Sequence, residues 1–300
     1  MHSNELLPSD HLSNPRSPIA KGDDWNKLAE EYKKFSSGPG TAAVKVLVER
    51  TNERLPFASA TAILDDGCGP GPITARIIDA HGHELPPTCS ILAADFSEGM
   101  VAQVDASKNE ALSSGDAAKA EVWKRVETQV LDAMDLKGVP DDSKSHVMAG
   151  WVFFMTQDPQ KCLSESLRVL SPGGVLACTS WEGSEWLSLM GTLDEVRDDL
   201  KLPTLPEKWS NVELLEKEFE IAGFKEIAVE RVPVKMQYEK HEILVEFLIE
   251  KLPHAVALKS QMTDDEVKRW KELATAKCKE YNAEAPGSLS GWSLMAIGRK

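Results

Sequence analysis

Between Ile63 and Thr74 the chain reads ILDDGCGPGPIT, an apolar run that ends in acid and is followed by Gly67, Gly69 and Gly71, two residues apart. Such a run suits a buried parallel strand ending at Leu64-Asp65, a tight turn over the glycines, and a helix beginning near Ile73. Glycine lets the backbone adopt the dihedrals of that turn and come close to a ligand. The stretch therefore reads as a cradle for a nucleotide-type cofactor at the carboxyl end of the first strand. The spacing narrows the choice. A dinucleotide fingerprint needs G-x-G-x-x-G with an acid about 20 residues further on, and here Pro72 stands after the third glycine. A phosphate loop needs Lys followed by Ser or Thr, and no such pair follows.

What remains is D-x-G-x-G-x-G on Asp65, Gly67, Gly69 and Gly71, which resembles motif I of the class I S-adenosylmethionine (SAM) dependent methyltransferases. Later segments resemble that family's in the same order. SILAADFSEGM, residues 90–100, resembles its second strand and helix start. The resemblance gives Asp95 the two ribose hydroxyls, a role that suits an acceptor-only carboxylate. Phe96 stands beside it, and Met100 lies against the adenine. TQVLDAMDLK, residues 128–137, resembles the element holding the adenine edge, with Asp132, the Ala133 backbone and Met134; Asp135 competes for the carboxylate role. LRVLSPGGVLAC, residues 167–178, resembles the helix, Pro-Gly-Gly turn and fifth strand that follow. The same resemblance implies backbone contacts from Gly67, Cys68 and Gly69, with Gly71 shared between cofactor and packing. It places Asp65 near the cofactor's amino group. It is closest to the small-molecule branch typified by ubiquinone and menaquinone biosynthesis, and covers residues 24–182.

The implied fold is α/β, a Rossmann-like seven-stranded sheet with helical additions over the active site. Strands are expected near 61–65, 90–95, 126–131, 145–151 and 174–180, with helices between them. Residues 223–236 alternate like a long strand, 240–251 and 264–281 have helical character, and 292–299 resemble the family's final antiparallel strand. Residues 1–20 read as a disordered tail. The core is expected over 21–184 and 286–300 with the strand near 223–236, and mainly helical, substrate-covering additions over 185–220 and 238–285. A helix over 24–35 carries Trp25, Leu28, Tyr32 and Phe35 on one side.

Ligands of such sheets bind outside the carboxyl ends of the strands, and that rule sorts the other candidates. Ala149 and Gly150, at the end of the fourth strand, should edge the methionine part of the cofactor. Trp151, Phe154, Trp181 and Trp186 follow strands four and five and are the candidate substrate contacts. In related enzymes the N-terminal helix closes over the cofactor, which adds Trp25 to the substrate side and Tyr32 to the cofactor side. Aromatic faces attract a sulfonium cation and wall an apolar or ring-containing substrate.

Composition restricts the partners. The net charge of −14 over 300 residues, with no basic cluster, disfavours nucleic acid. No run of 18 apolar residues is present, which disfavours a membrane span. Five scattered cysteines without CxxC or zinc spacing suit a reducing, cytoplasmic setting and no metal. A monomer is favoured, with the oligomeric state otherwise open. Three histidines (His81, His83 and His146) should sit at the amino ends of the strands, away from the pocket. His241 and His254 in the additions, and Asp158 after the fourth strand, remain as weak base candidates; Asp158 is better explained as a helix cap before Pro159. A general base is needed only where the acceptor is protonated, so its absence favours an acceptor that ionises unaided, such as a thiol. The whole chain is similar to fungal methyltransferases of secondary metabolism, with the gliotoxin-type dithiol S-methyltransferases as the preferred comparison. O- and N-methylation stay open, as does a non-catalytic SAM-binding regulator.

Overall fold

The computed structural model describes residues 41–300 together with Asp23, Trp25, Asn26, Ala29, Glu30 and Lys33. The expected tail over 1–20 and Tyr32 lie outside the described residues.

Five parallel strands come first, with helices between all successive pairs except the third and fourth. They are β1 (Ala62–Asp66), β2 (Ser90–Asp95), β3 (Val126–Val130), β4 (Lys144–Gly150) and β5 (Leu170–Ser184). The helices are α1 (Thr41–Arg54) ahead of β1, α2 (Pro72–His81), α3 (Glu98–Ser113), α4 (Ala117–Trp123) and α5 (Pro159–Val169). After β5 come α6 (Glu185–Gly191), α7 (Val212–Ala222), β6 (Lys225–Tyr238), α8 (His241–Glu250), α9 (Pro253–Lys259), α10 (Asp264–Tyr281) and β7 (Gly287–Arg299). The sheet order is β3-β2-β1-β4-β5-β7-β6, with β7 antiparallel to both its neighbours. This is the Rossmann-like α/β sheet that the sequence predicts.

Adjacent strand residues point to opposite faces, and both faces of this sheet are covered. Ile63 packs with Leu47 of α1 and Ile77 of α2 on one side, while Leu64 packs with Leu163 of α5 and Phe219 of α7 on the other. That is why β1 is apolar at consecutive positions rather than at alternate ones. The order reverses between β1 and β4, and the crevice outside that reversal is where ligands of such sheets bind.

Two elements depart from expectation. The β6–β7 ladder outruns the sheet: β5 ends with Ser184 opposite Gly291, yet β7 continues back to Gly287, paired with Tyr238. The segment over 287–291 is Gly-Ser-Leu-Ser-Gly, with little strand character of its own; the alternation of Val232, Val234, Met236 and Tyr238 in β6 imposes it. These residues, with Leu289, pack with Leu244 and Leu248 of α8 and Trp270 of α10, so the added helices share one core with the first face of the sheet. A buried bond from the Trp270 indole to the Met190 carbonyl, 3.0 Å, ties α10 to α6. The second departure is α7. Expected among the substrate-covering additions, it packs instead on the second sheet face beside α5, where Gln160 donates to both the backbone and the side chain of Glu218.

Candidate active site

The glycine turn closes β1 and opens α2. All three glycines are left-handed, with φ of 68° at Gly67, 52° at Gly69 and 89° at Gly71, conformations that cost an ordinary residue about 1–2 kcal/mol each. They are needed for different reasons. A Cβ on Gly67 would lie 2.4 Å from Val152 Cγ2, so β1 and the segment after β4 touch there only because glycine is present. Gly71 is the N-cap of α2 and faces Val104 of α3, while a Cβ on Gly69 would meet nothing within 4 Å. Close approach at the first and third positions leaves the second facing open space.

Three acids end β1 and β2. Asp95 is nearly buried; its Oδ2 accepts the Gly69 N–H and its Oδ1 the Ser97 N–H, both at 2.9 Å. Burial raises its pKa, against the pull of those two donors. Asp65 is fully buried. Its Oδ2 accepts the Thr74 N–H at 3.0 Å and hydroxyl at 2.6 Å, whereas Oδ1 has no partner among the described residues. Burial moves its pKa up to about 6. Asp66, on which the sequence reading placed no role, is also buried, with Oδ2 unpartnered. Its pKa is pushed up to about 8, chiefly by burial and then by the charges of Asp65, Asp95, Asp132 and Glu165. Carboxyl groups therefore crowd both sides of the strand end that leads into the glycine turn. Cys68 beside it is buried and its thiol is raised well above the usual range, again by burial first, which makes it a poor nucleophile.

The remaining cofactor candidates lie at or just past the carboxyl ends of β2, β3 and β4. Phe96 is 44% exposed although large and apolar, and Met100 is buried in the first turn of α3. Asp132 is exposed and its Oδ1 accepts the Met134 N–H at 2.8 Å, with Ala133 buried between them. Asp135 is also exposed and donates its N–H to the Asp132 carbonyl. Ala149 is buried in β4, and Gly150 faces Ile73 of α2 at the strand's end.

At the carboxyl ends of β4 and β5 the tryptophans meet. Trp151 has φ 56°, a genuine outlier for a bulky side chain. It is held there by two bonds, from its N–H to Thr179 Oγ1 at 3.0 Å and from its indole Nε1 to Ser293 Oγ at 3.1 Å. Its ring stacks on Trp181, with centroids 5.1 Å apart and planes 16° apart; Trp181 meets Trp186 edge-on, also at 5.1 Å. Trp186 is buried over Gly291, where a Cβ would lie 2.4 Å from its ring. Phe154 departs from the expected rim. It lies in the 3-10 turn after β4 and is buried in the second-face cluster. Trp25 is half-buried on a helical segment whose neighbour Asn26 docks on the start of α3.

Two of the three base candidates, Asp158 and His241, are engaged elsewhere. Asp158 caps α5, accepting the Lys161 N–H ahead of Pro159. His241 is buried against Tyr238 and bonds the Asn282 carbonyl at 2.8 Å. His254 stands in the first turn of α9 with Nδ1 buried and unpartnered, and burial lowers its pKa. His146 is at the opposite end of the sheet, bonded to Ser145 and the Leu55 carbonyl. Two rim acids that sequence reasoning missed are also occupied: Glu182 pairs with Arg231, and Glu185 accepts the Ser290 N–H.

A methyltransferase-domain family model matches residues 64–178, from β1 through β5. Methyltransferase ucsB of an Acremonium species is 37% identical, over 95% of this chain and 98% of its own length. The chain belongs to the methyltransferase family. Its class I architecture is that of SAM-dependent enzymes. The acetylaranotin bis-thiomethyltransferase of Aspergillus terreus is 28% identical to this methyltransferase, over 71% of this chain and 72% of its own length. The YcgJ protein of Bacillus subtilis shares the fold at a TM-score of 0.53 and 16% identity, over 85% of this chain and 97% of that one. Among the described residues of the methyltransferase, no helix is long and apolar enough to cross a membrane.

Proposed function

We propose that this methyltransferase acts on a small molecule with a flat or apolar body, and that its preferred acceptor atom is a thiol sulfur. The observation that carries the reading is the tryptophan stack outside β4 and β5, fixed by Thr179 and Ser293 beside the glycine turn. SAM supplies an electrophilic methyl on a sulfonium; everything else is binding and orientation by this chain. Its residues fit that cofactor. The unpartnered Oδ1 of Asp65 suits the ammonium group, Asp95 keeps lone pairs for two ribose hydroxyls, and the open side of Gly69 admits close approach. Phe96 and Met100 flank the adenine, with Asp132, Ala133 and Met134 at its edge, while Ala149 and Gly150 edge the methionine part. The acidic surroundings favour a cationic cofactor over its neutral thioether product.

Aligning acceptor, methyl and sulfur in one line is the main catalytic contribution. The engaged side chains around the rim leave proton removal to an acceptor that ionises unaided, and a thiol with pKa near 8.5 does so. The 28% identical bis-thiomethyltransferase supports the same acceptor chemistry.

The test is S-adenosylhomocysteine release with matched panels of reduced dithiols, phenols, carboxylic acids and amines, in wild type and in Trp181→Ala. Turnover confined to thiols, with acceptor KM raised about tenfold in the variant and cofactor affinity unchanged, is the expected result; loss of one stacked aromatic contact is worth about 0.5–1.5 kcal/mol beyond its buried area. Turnover on phenols or amines instead would overturn the thiol assignment.

A further inference from the structure

We infer that Asn26 is a positioning residue for cofactor binding, acting through Ser97 on the Asp95 carboxylate. Asn26 Oδ1 accepts two hydrogen bonds of 2.7 Å, from the Ser97 hydroxyl and from the Gly99 N–H. Both donors belong to the turn that opens α3. Ser97 is the N-cap of that helix and fully buried; its Oγ accepts the Met100 N–H at 3.2 Å while its own proton goes to Asn26. Its backbone N–H points the other way, to Asp95 Oδ1. Four polar groups are thus linked in series from Asn26 to Asp95, and Asn26 satisfies one of the N–H groups that a helix start leaves without an internal partner.

A second observation stands apart from the hydrogen bonds. Gly99 has ordinary helical dihedrals, so its backbone does not require glycine. A Cβ there, however, would lie 2.8 Å from Asn26 Cα and 3.0 Å from the Asn26 carbonyl oxygen. The chain is cleared of a side chain where Asn26 docks. Lys33 continues the contact one helix face along, its Nζ 2.9 Å from Ser107 Oγ, and Ala29 between them is buried.

The consequence is a division of labour. Asp95 supplies the acceptor atoms, and Asn26 pins the Ser97–Gly99 turn whose Ser97 N–H orients that carboxylate. Charge-assisted hydrogen bonds depend on this kind of geometry, and removing one neutral link in a buried chain is worth about 1–1.5 kcal/mol, or roughly tenfold in a dissociation constant.

The inference rests on the reading that Asp95 binds the cofactor, so one titration must separate the two. S-adenosylhomocysteine is titrated calorimetrically into wild type, Asn26→Ala, Asn26→Asp, Gly99→Ala and Asp95→Asn, with thermal midpoints recorded alongside. Asn26→Ala should weaken binding about tenfold. Asn26→Asp, which keeps the acceptor oxygen at a helix start that tolerates negative charge, should restore most of it. Gly99→Ala should reproduce the loss, and combining it with Asn26→Ala should add little, as expected for two changes to one contact. A purely structural role would lower the midpoint and leave the affinity of the folded protein unmoved. If Asp95→Asn loses affinity while Asn26→Ala binds like wild type, the Asn26 inference falls and the site reading stands. If Asp95→Asn also binds like wild type, the site reading itself falls.

Discussion

Asp95→Ala is expected to weaken SAM binding by roughly 100-fold or more while the folded sheet persists. Both oxygens of this carboxylate are oriented by backbone donors, Gly69 from one side and Ser97 from the other. An ionised carboxylate has about four acceptor sites, so two remain for a pair of ribose hydroxyls. Hydrogen bonds to charged groups are worth about 1.5–3 kcal/mol each, and losing two gives the stated effect. Because burial already raises its pKa, binding should also decline with acidification earlier than a solvent-exposed aspartate would predict. Calorimetric titration, with circular dichroism to check the fold, measures both. Unchanged affinity in Asp95→Ala would remove the ribose assignment.

Asp66→Asn is expected to make the protein more stable than wild type, by a margin that grows from pH 5 to pH 8. The side chain is buried with one oxygen unpartnered, and its neighbours Asp65, Asp95, Asp132 and Glu165 all disfavour a further negative charge. Glu165 is itself held ionised by Arg168. Unfolded, Asp66 loses its proton near the ordinary aspartate value of about 3.9; folded, it retains it to about 8. Between those values the native state binds the extra proton, so wild-type stability falls as pH rises and levels off above the folded pKa. Asparagine keeps the shape and uncharged state and removes that slope, which for one group is at most about 1.4 kcal/mol per pH unit. Denaturant midpoints at several pH values decide the matter. Parallel wild-type and variant curves would mean that Asp66 is ionised in the fold.

The parts of this molecule that were legible beforehand are those where local composition and tertiary role coincide. β1 and β2 are buried on both faces, so each is an apolar run, and each ends in an acid that the next turn uses. The glycine turn was legible because left-handed backbone at Gly67, Gly69 and Gly71 demands that residue type. Legibility fails where tertiary contacts override composition. Trp151 occupies a left-handed conformation that its own preferences oppose, imposed by Thr179 and Ser293 from distant strands. Phe154, three residues beyond Trp151, lies in the 3-10 turn after β4 and is buried in the core rather than on the rim. Asn26 gives no local sign of its role; only docking on Ser97 and Gly99, more than 70 positions away, reveals it. Asp66 sits beside Asp65 in sequence, yet strand alternation sends it to the other face and into a different electrostatic setting.

The most direct test of the account is a crystal structure with S-adenosylhomocysteine bound. The ribose hydroxyls should lie within hydrogen-bonding distance of Asp95, the adenine between Phe96 and Met100 with its edge at Asp132 to Met134, and the amino group at Asp65 Oδ1. The thioether sulfur should then face the Trp151–Trp181 stack. A ligand bound with its sulfur turned away from those tryptophans, or with Asp95 contacting no ribose oxygen, would contradict the account.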